Sequence, residues 1–333
     1  MAMIFMSGAE ANNNLEWSLY NFNRSNAHPR SGVYSWDDAD GTYLHRIISP
    51  GLATAYQQFA WRMEVFGGAG VKKLYEWRNG ATVLGTLAWD SGTKVLMLYT
   101  GNYASLVGTG TAMLSPNVWY VIEIYIDIAD AGGRLIVRID GLIDPGLNFT
   151  GDTKPGADAV FDRIVFTNPA VGWQGHLDDI ILNDTLGGVN DTWPNGSKIV
   201  YLKPIAPGAS TQWTASGGLL NWQCVDEVPP SVVDYVATNV AARQDTYELE
   251  DLPVDAASVQ CVRADVWGMK VGVPAVNNIS PMVRTGGADF YGTSRPAGFA
   301  IALIPHYFDQ NPAGGNWDVP TVNALESGER ADL

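Results

Sequence analysis

Acidic residues are the first side chains of this sequence to test for chemistry, because two carboxylates at close spacing can catalyse glycoside hydrolysis. A retaining mechanism needs carboxyl groups about 5–5.5 Å apart. Glu123 and Asp127 lie four residues apart in an alternating run, which is about 13 Å along a strand. Glu248 and Glu250 are closer in sequence, but they end a predicted strand, and we interpret them as structural. With no Gly-x-Ser-x-Gly elbow in the chain, we predict no catalytic residue and no enzyme.

Metal ligands are the next chemistry to consider. No zinc-type Cys/His spacing occurs, and no two histidines are paired along a strand or helix; they are His28, His45, His176 and His306. Calcium needs about six to eight oxygen ligands, for which Asp38, Asp40 and Asp178 are weak candidates. Asp178 and its neighbour Asp179 point to opposite faces of a regular strand, and residues 38–41 fit an Asx-type turn. We predict no bound metal and no cofactor.

Aromatic rings are the remaining candidates, because a sugar can stack on an exposed ring. Five rings lie near predicted loops or strand ends, and we take them as the candidate carbohydrate site: Trp36, Trp77, Trp89, Tyr99 and Tyr103. The favoured alternative is that such rings fill the core of a broad sandwich, since the chain has twelve Trp. A third reading is burial at contacts between subunits, where aromatic residues concentrate.

The elements that position these side chains are β-strands, because apolar and polar residues alternate in short runs between turns. The clearest hairpin spans residues 118–140. Its symmetric register places Glu123 opposite Arg138. The same register places Asp127 opposite Arg134. Opposite charges across a strand pair contribute about 0.2–1 kcal/mol each, so we interpret these carboxylates as structural.

The chain of 333 residues is long enough for two domains. Residues 1–185 read as strand and turn throughout, and a polar, turn-rich stretch over residues 186–197 predicts a linker. Residues 198–333 resume the strand pattern, with a helical signal only at residues 319–327. We therefore predict an all-β protein of two sandwich-type domains.

Charge and targeting signals bear on partners and location. The net charge of −15 and the lack of a basic cluster exclude a nucleic-acid-binding face. Only 17% of the residues are charged, which suggests surface covered by neighbouring subunits. The apolar start lacks the basic region of a signal peptide, and no apolar run could span a membrane. Cys224 and Cys261 are favoured as free thiols, although one disulfide is arithmetically possible.

Four motifs in order resemble the concanavalin A-like, laminin-G-like jelly rolls of phage structural proteins: residues 4–10 (IFMSGAE), 119–125 (WYVIEIY), 132–141 (GGRLIVRIDG) and 175–184 (GHLDDIILND). The second half resembles the C-terminal companion domain that follows this jelly roll in virion proteins of tailed phages. That resemblance rests on residues 202–204, 212–214, 221–222, 225–227, 234–236, 245–247, 311–317 and 322–328. It implies a jelly roll followed by a β-rich virion-protein domain.

The resemblance implies a virion component assembled in the cytoplasm of a host bacterium, with other virion proteins and copies of itself as partners. Our first hypothesis is a tail-associated protein (fibre, tip or collar) whose jelly roll contacts a host-surface glycan. The second is a capsid decoration protein that binds only other capsid subunits. The third is a polysaccharide-degrading enzyme, which the carboxylate spacing disfavours.

Overall fold

Alternation of apolar and polar side chains forms antiparallel strands along the whole chain, because each strand buries one face and turns the other outward. The computed structural model describes residues 3–11, 14–38, 42–65, 70–167, 174–272 and 276–333, without the side chains of Asp38 and Val65. The chain divides into two units, Met1–Ile199 and Val200–Leu333. Strands make up 51% of the residues and helix only 3%, which confirms the predicted all-β fold.

The first unit is a jelly-roll sandwich of two antiparallel sheets. Its strands are β1 Met3–Ser7, β2 Leu19–Tyr20, β3 Asn23–Ser25, β4 Ser35–Asp38, β5 Tyr43–Leu52, β6 Thr54–Val65, β7 Val71–Asn79, β8 Thr82–Asp90, β9 Val95–Thr100, β10 Ser105–Thr109, β11 Trp119–Asp127, β12 Gly133–Ile139, β13 Leu142–Gly151, β14 Phe161–Thr167 and β15 Gln174–Asn183. Sheet 1 has the order β13-β12-β11-β6-β15-β4-β3, with β1 beside β15. Sheet 2 has the order β10-β9-β8-β7-β14-β5-β2.

A core of aromatic and aliphatic side chains lies between sheets 1 and 2. Ile122, Ile124 and Ile126 of β11 face this core and have no exposed surface. Rings of the two sheets meet there; the centroids of Phe59 on β6 and Tyr75 on β7 are 5.7 Å apart. Because close-packed interiors resist deformation, the outer faces of both sheets are presented on a rigid frame.

The segment predicted as a linker, residues 186–197, packs on the outer face of sheet 1. Glu123 is opposite Arg138 there, as predicted, with their charged groups 3.4 Å apart. Asn195 donates its backbone N–H to Glu123 Oε1 at 2.6 Å, and the Arg138 guanidinium lies 4.7 Å from the Trp193 ring centroid. These contacts explain why the first unit extends to Ile199 rather than ending at residue 185.

The second unit is a smaller β-sandwich-type domain. Its elements are β16 Pro204–Thr211, β17 Thr214–Ala215, a 3-10 helix Asn221–Cys224, β18 Val236–Ala237, β19 Gln244–Leu249, β20 Val262–Gly268, β21 Asn278–Thr285, β22 Ala288–Tyr291, β23 Arg295–Pro296, β24 Ala302–Phe308, α1 Val319–Asn323 and β25 Glu326–Asp332. Sheet 3 has the order β16-β19-β25-β21-β22, with β23 beside β21. Strands β20 and β24 pair as a two-stranded ribbon. This ribbon and β21 contribute side chains to one buried cluster, which contains Ala264, Val283, Phe308, Trp317, Val322 and Leu325.

The helix predicted at residues 319–327 is shorter in the structure. Asp318 caps its start by accepting the Thr321 N–H at 2.8 Å, but the helix ends at Asn323. From Glu326 the chain forms β25, which pairs with both β19 and β21. Hydrogen bonding to two neighbouring strands therefore overrides the local helical tendency.

Two smaller features concern thiols and membranes. Cys224 and Cys261 are both free thiols. In the described ranges no helix is both long and apolar enough to cross a membrane.

Candidate functional site

Sheet 2 presents a cross-strand row of side chains on its outer face. Glu76 of β7 is opposite Thr86 of β8, and Thr86 is opposite Tyr99 of β9. Tyr75 and Leu98, their neighbours along the strands, belong to the core, so this row faces away from it. Because opposed residues have Cβ atoms about 4.5–5.5 Å apart, the three side chains lie side by side; Glu76 and Thr86 have no exposed surface, and Tyr99 is half-buried.

Tyr103 adds a second ring beside Tyr99. The two ring centroids are 4.9 Å apart and the planes meet at 89°. Tyr103 lies in the left-handed region with φ 56°, where non-glycine residues are uncommon. Its turn is held through the carbonyl of Gly101, which accepts the Tyr103 N–H at 3.1 Å and the Thr86 hydroxyl at 2.9 Å. The pair is therefore held edge to face while Tyr103 stays 37% exposed.

Charged groups surround this pair. Lys73 Nζ lies 5.3 Å from the Tyr103 ring centroid and 2.6 Å from Glu76 Oε1. Arg78 donates Nε–H to Glu76 Oε2 at 2.9 Å. Burial, with the neighbouring Tyr99 and Glu76, raises the pKa of Tyr103 well above its usual value, so its hydroxyl keeps its proton. We call Lys73, Glu76, Arg78, Tyr99 and Tyr103 the tyrosine face; it offers flat apolar rings beside polar donors and acceptors.

The three tryptophans of the predicted carbohydrate site lie in the core, so the prediction fails for them. Trp36, Trp77 and Trp89 have no exposed surface, and a ring without exposed surface cannot stack on a sugar. Trp36 donates its ring N–H to Ser7 Oγ at 3.0 Å. A Cβ on Gly85 would come within 1.8 Å of the Trp77 ring, so this glycine makes the room that Trp77 fills. Of the predicted rings, Tyr99 and Tyr103 alone reach the surface.

The calcium candidate Asp178 lies at a β-bulge rather than in a regular strand. The pairing with β6 shifts register between Asp178 and Ile181, and Asp179 has φ 47°. Both carboxylates therefore contact the same loop: Asp178 accepts the N–H groups of Arg30 and Ser31 at 2.9 and 3.2 Å, and Asp179 accepts the Ser31 hydroxyl at 2.6 Å. The expectation that Asp178 and Asp179 point to opposite faces is wrong, because the bulge interrupts the regular alternation of side chains along β15.

These donors make the Asp178 site unlike a calcium site, which surrounds a cation with oxygen atoms. Burial raises the pKa values of Asp178 and Asp179, against the ion pair that Arg30 makes with Asp179. The other two calcium candidates, Asp40 and the side chain of Asp38, lie outside the described residues.

Three further side chains meet beside strands β6 and β15. The ligand atoms of His28, Glu64 and His176 all lie within 4.8 Å of one another. Within the described residues, this group of side chains could bind one metal ion together. Glu64 Oε1 lies 2.9 Å from His28 Nε2 and 3.5 Å from His176 Nε2, and it also pairs with Arg62. Burial lowers the pKa of His176, against the raising effects of Glu64 and Asp37.

Sequence spacing missed this group, which we call the His–Glu cluster. His28 comes from the loop between β3 and β4, Glu64 from β6 and His176 from β15. The last two are close because β6 and β15 are paired, with His176 opposite Arg62. The alternation of apolar and polar residues could have predicted that Glu64 and His176 lie on the outer face of a sheet. It could not have predicted that their strands are neighbours in that sheet.

Comparison with known proteins concerns the fold. No family model and no curated protein matches the chain. The cellulose-induced protein Cip1 is similar at 12% identity and a TM-score of 0.41, over 54% of this chain and 96% of that one. A carbohydrate esterase from the Shiga toxin-encoding bacteriophage phi24B is similar at 14% identity and 0.42, over 55% and 99%. Trypanosoma rangeli sialidase matches at 15% identity and 0.38, over 54% of this chain but only 30% of the sialidase.

The prediction that the chain is not an enzyme is corrected by these matches. Two of the matched proteins are, by name, a sialidase and a carbohydrate esterase. The prediction considered carboxylates on a single strand. Folding brings acid and imidazole groups from separate segments together, as in the His–Glu cluster.

Proposed function

We propose that this chain is a structural component of a bacteriophage particle whose jelly roll binds a carbohydrate of the host surface through the tyrosine face. The observation that carries the carbohydrate part is the Tyr99–Tyr103 pair, fixed edge to face at 4.9 Å with Tyr103 accessible. The particle part rests on the order of the four jelly-roll motifs and the companion-domain motifs in the sequence.

The chemistry of the tyrosine face suits a sugar. Small-molecule sites combine apolar and aromatic surface with a few placed polar groups. Here the rings offer a flat surface to the C–H groups of a pyranose, while Lys73 and Arg78 offer donors beside the buried Glu76 carboxylate. The exposed Leu106, opposite Tyr99 on β10, extends the apolar surface.

A glycan array of bacterial surface polysaccharides tests the carbohydrate part, followed by calorimetry on the best binder. Tyr103→Ala is expected to weaken binding by at least about tenfold, which corresponds to about 1.4 kcal/mol. Tyr43→Ala is the matched control, since Tyr43 is in the same unit and 38% exposed against 37% for Tyr103. Equal loss in both variants, or no glycan bound by the parent chain, would refute the proposal. Mass spectrometry of the bound glycan reports any turnover in the same experiment.

We propose the virion as the location, with other virion proteins and further copies of the chain as partners. The tail is our first choice and the capsid surface the second. The capsid alternative is favoured by apolar side chains that the second unit leaves exposed, among them Val232, Val233 and Tyr235. Immunogold electron microscopy of intact particles decides between them, since label on the tail supports the first and label on the head supports the second. Particles without label would contradict both.

A further inference from the structure

The His–Glu cluster contains a buried nitrogen with no hydrogen bond. His176 Nε2 is inaccessible to solvent and has no hydrogen-bond partner in the described part of the chain; Glu64 Oε1 lies 3.5 Å from it. The other ring nitrogen, Nδ1, lies 3.2 Å from Ser35 Oγ. A buried polar atom without a partner is costly, so an occupant that accepts the Nε2 lone pair would remove that cost.

We propose that His28, Glu64 and His176 bind one divalent transition metal of the zinc class through His28 Nε2, Glu64 Oε1 and His176 Nε2. Zinc bonds of about 2.0–2.1 Å place tetrahedral ligand atoms about 3.3–3.4 Å apart. The separations of 2.9 and 3.5 Å from Glu64 Oε1 lie on either side of that value. Both nitrogen–oxygen separations are thus within about half an ångström of the tetrahedral value, and the two nitrogens lie within 4.8 Å of each other.

The donor set selects the class of metal. Imidazole nitrogen suits zinc, copper, nickel and iron, whereas calcium and magnesium prefer oxygen ligands alone. The 3.2 Å contact between His176 Nδ1 and Ser35 Oγ is the kind of supporting hydrogen bond that fixes a metal-binding histidine. Three protein ligands leave a fourth tetrahedral position free, which is the arrangement of catalytic rather than structural zinc sites. The His28 side chain is 41% exposed, so an ion reaches the cluster from solvent on this side.

Neighbouring charges set the strength of binding. Arg62 pairs with Glu64 Oε1 and also donates to Asn117 Oδ1 at 3.3 Å, so its positive charge competes with a cation. Asp37, opposite His176 on β4, has a buried Oδ1 without a hydrogen-bond partner within the described ranges, and its negative charge acts in the other direction. Removing the Arg62 charge should therefore strengthen metal binding. If the three side chains only formed hydrogen bonds with one another, removing this charge would not increase zinc affinity.

Calorimetric titration of the full, tag-free chain with zinc sulfate tests the proposal, and the visible spectrum with cobalt(II) reports the coordination geometry. We expect one equivalent to bind and cobalt to show the intense bands of a tetrahedral nitrogen and oxygen site. Loss of a supporting hydrogen bond costs about 10–100-fold in metal affinity. His28→Ala and His176→Ala, which remove a ligand, should cost at least that much.

The chain provides matched controls, because two of its four histidines lie outside the cluster. His45→Ala and His306→Ala should bind zinc as the parent does, and Arg62→Gln should bind it several-fold more tightly. Because His28 is half-exposed, His28→Ala keeps the test valid even where His176→Ala fails to fold. Absence of zinc binding by the parent chain would overturn the proposal, as would binding that survives His28→Ala unchanged or that is lost equally in His45→Ala.

Discussion

The two units differ in how large a hydrophobic core they bury. In the first unit, sheets 1 and 2 enclose a continuous core that contains the largest fully buried rings among the described residues, such as Trp36, Trp61 and Trp77. In the second unit the buried clusters are small. Both units expose large apolar side chains, such as Leu142 at 76% in the first and Val233 at 85% in the second, but the second unit exposes nearly as many from a much shorter stretch of chain. A small core combined with a dense set of exposed apolar side chains suits the second unit to contact with other proteins.

The largest expected effect concerns the core of the first unit. Trp77→Ala should lower the free energy of unfolding by about 3–5 kcal/mol, because it removes a fully buried ring and leaves a cavity beside Gly85. Urea denaturation measures this change. Leu142→Ala, at a site 76% exposed in the same unit, should stay within about 0.5 kcal/mol of the parent. A loss for Trp77→Ala no larger than that of the control would show that this core is not tightly packed.

An intermediate effect is expected from buried acids, which both units contain. Burial raises the pKa of Glu10 in the first unit to about 7, and burial raises that of Glu329 in the second to about 8. A glutamate in the unfolded chain ionises at about pH 4.3. Between that pH and about 7–8, the folded chain therefore binds more protons at these two glutamates than the unfolded chain does. Stability should therefore be greatest near or below pH 4.3 as far as these groups are concerned, and fall as pH rises to about 8.

Substitution separates the contribution of the second unit. Glu329→Gln should flatten the fall in stability between pH 5 and 8 while the side chain can still accept the Tyr247 hydroxyl, now bonded to Glu329 Oε1 at 2.7 Å. Glu248→Gln, an exposed site on the adjacent strand β19, should leave the slope unchanged. Melting temperatures across this pH range measure both, and equal slopes in the parent and Glu329→Gln would exclude the buried acid as the cause.

The smallest effect on stability is expected at the exposed apolar surface of the second unit. Val233→Ser should change the free energy of unfolding by less than about 0.5 kcal/mol, since the side chain is mostly in solvent. If this surface contacts particle neighbours, the same variant should be depleted from purified phage particles, measured by quantitative mass spectrometry. If the Val233→Ser variant were incorporated into particles as well as the parent, the exposed apolar surface of the second unit would not be a contact with particle neighbours.

The tyrosine face shows how far a candidate site was predictable. Tyr99 and Tyr103 were identified from their positions near strand ends, and both lie on the outer face of sheet 2. Trp36, Trp77 and Trp89 have similar positions in sequence but face the core. Proximity to a turn does not tell which side of a strand a ring occupies once bulges shift the alternation, as they do between Trp77 and Arg78. Lys73, Glu76 and Arg78 were not predicted, because scattered charged residues on a strand resemble an ordinary solvated face.

Sequence by itself determined the features that depend on neighbours along the chain. The all-β fold follows from side-chain alternation and frequent turns, and the pairing of Glu123 with Arg138 follows from a hairpin whose two strands are adjacent in sequence. Tertiary structure alone decided which distant segments meet. Only sheet pairing and loop closure bring His28, Glu64 and His176 together, and only the bulge at Asp178 turns two adjacent acids to one loop. The physical reason is that alternation specifies a face, whereas the partner on that face depends on contacts that form after the chain has closed long loops.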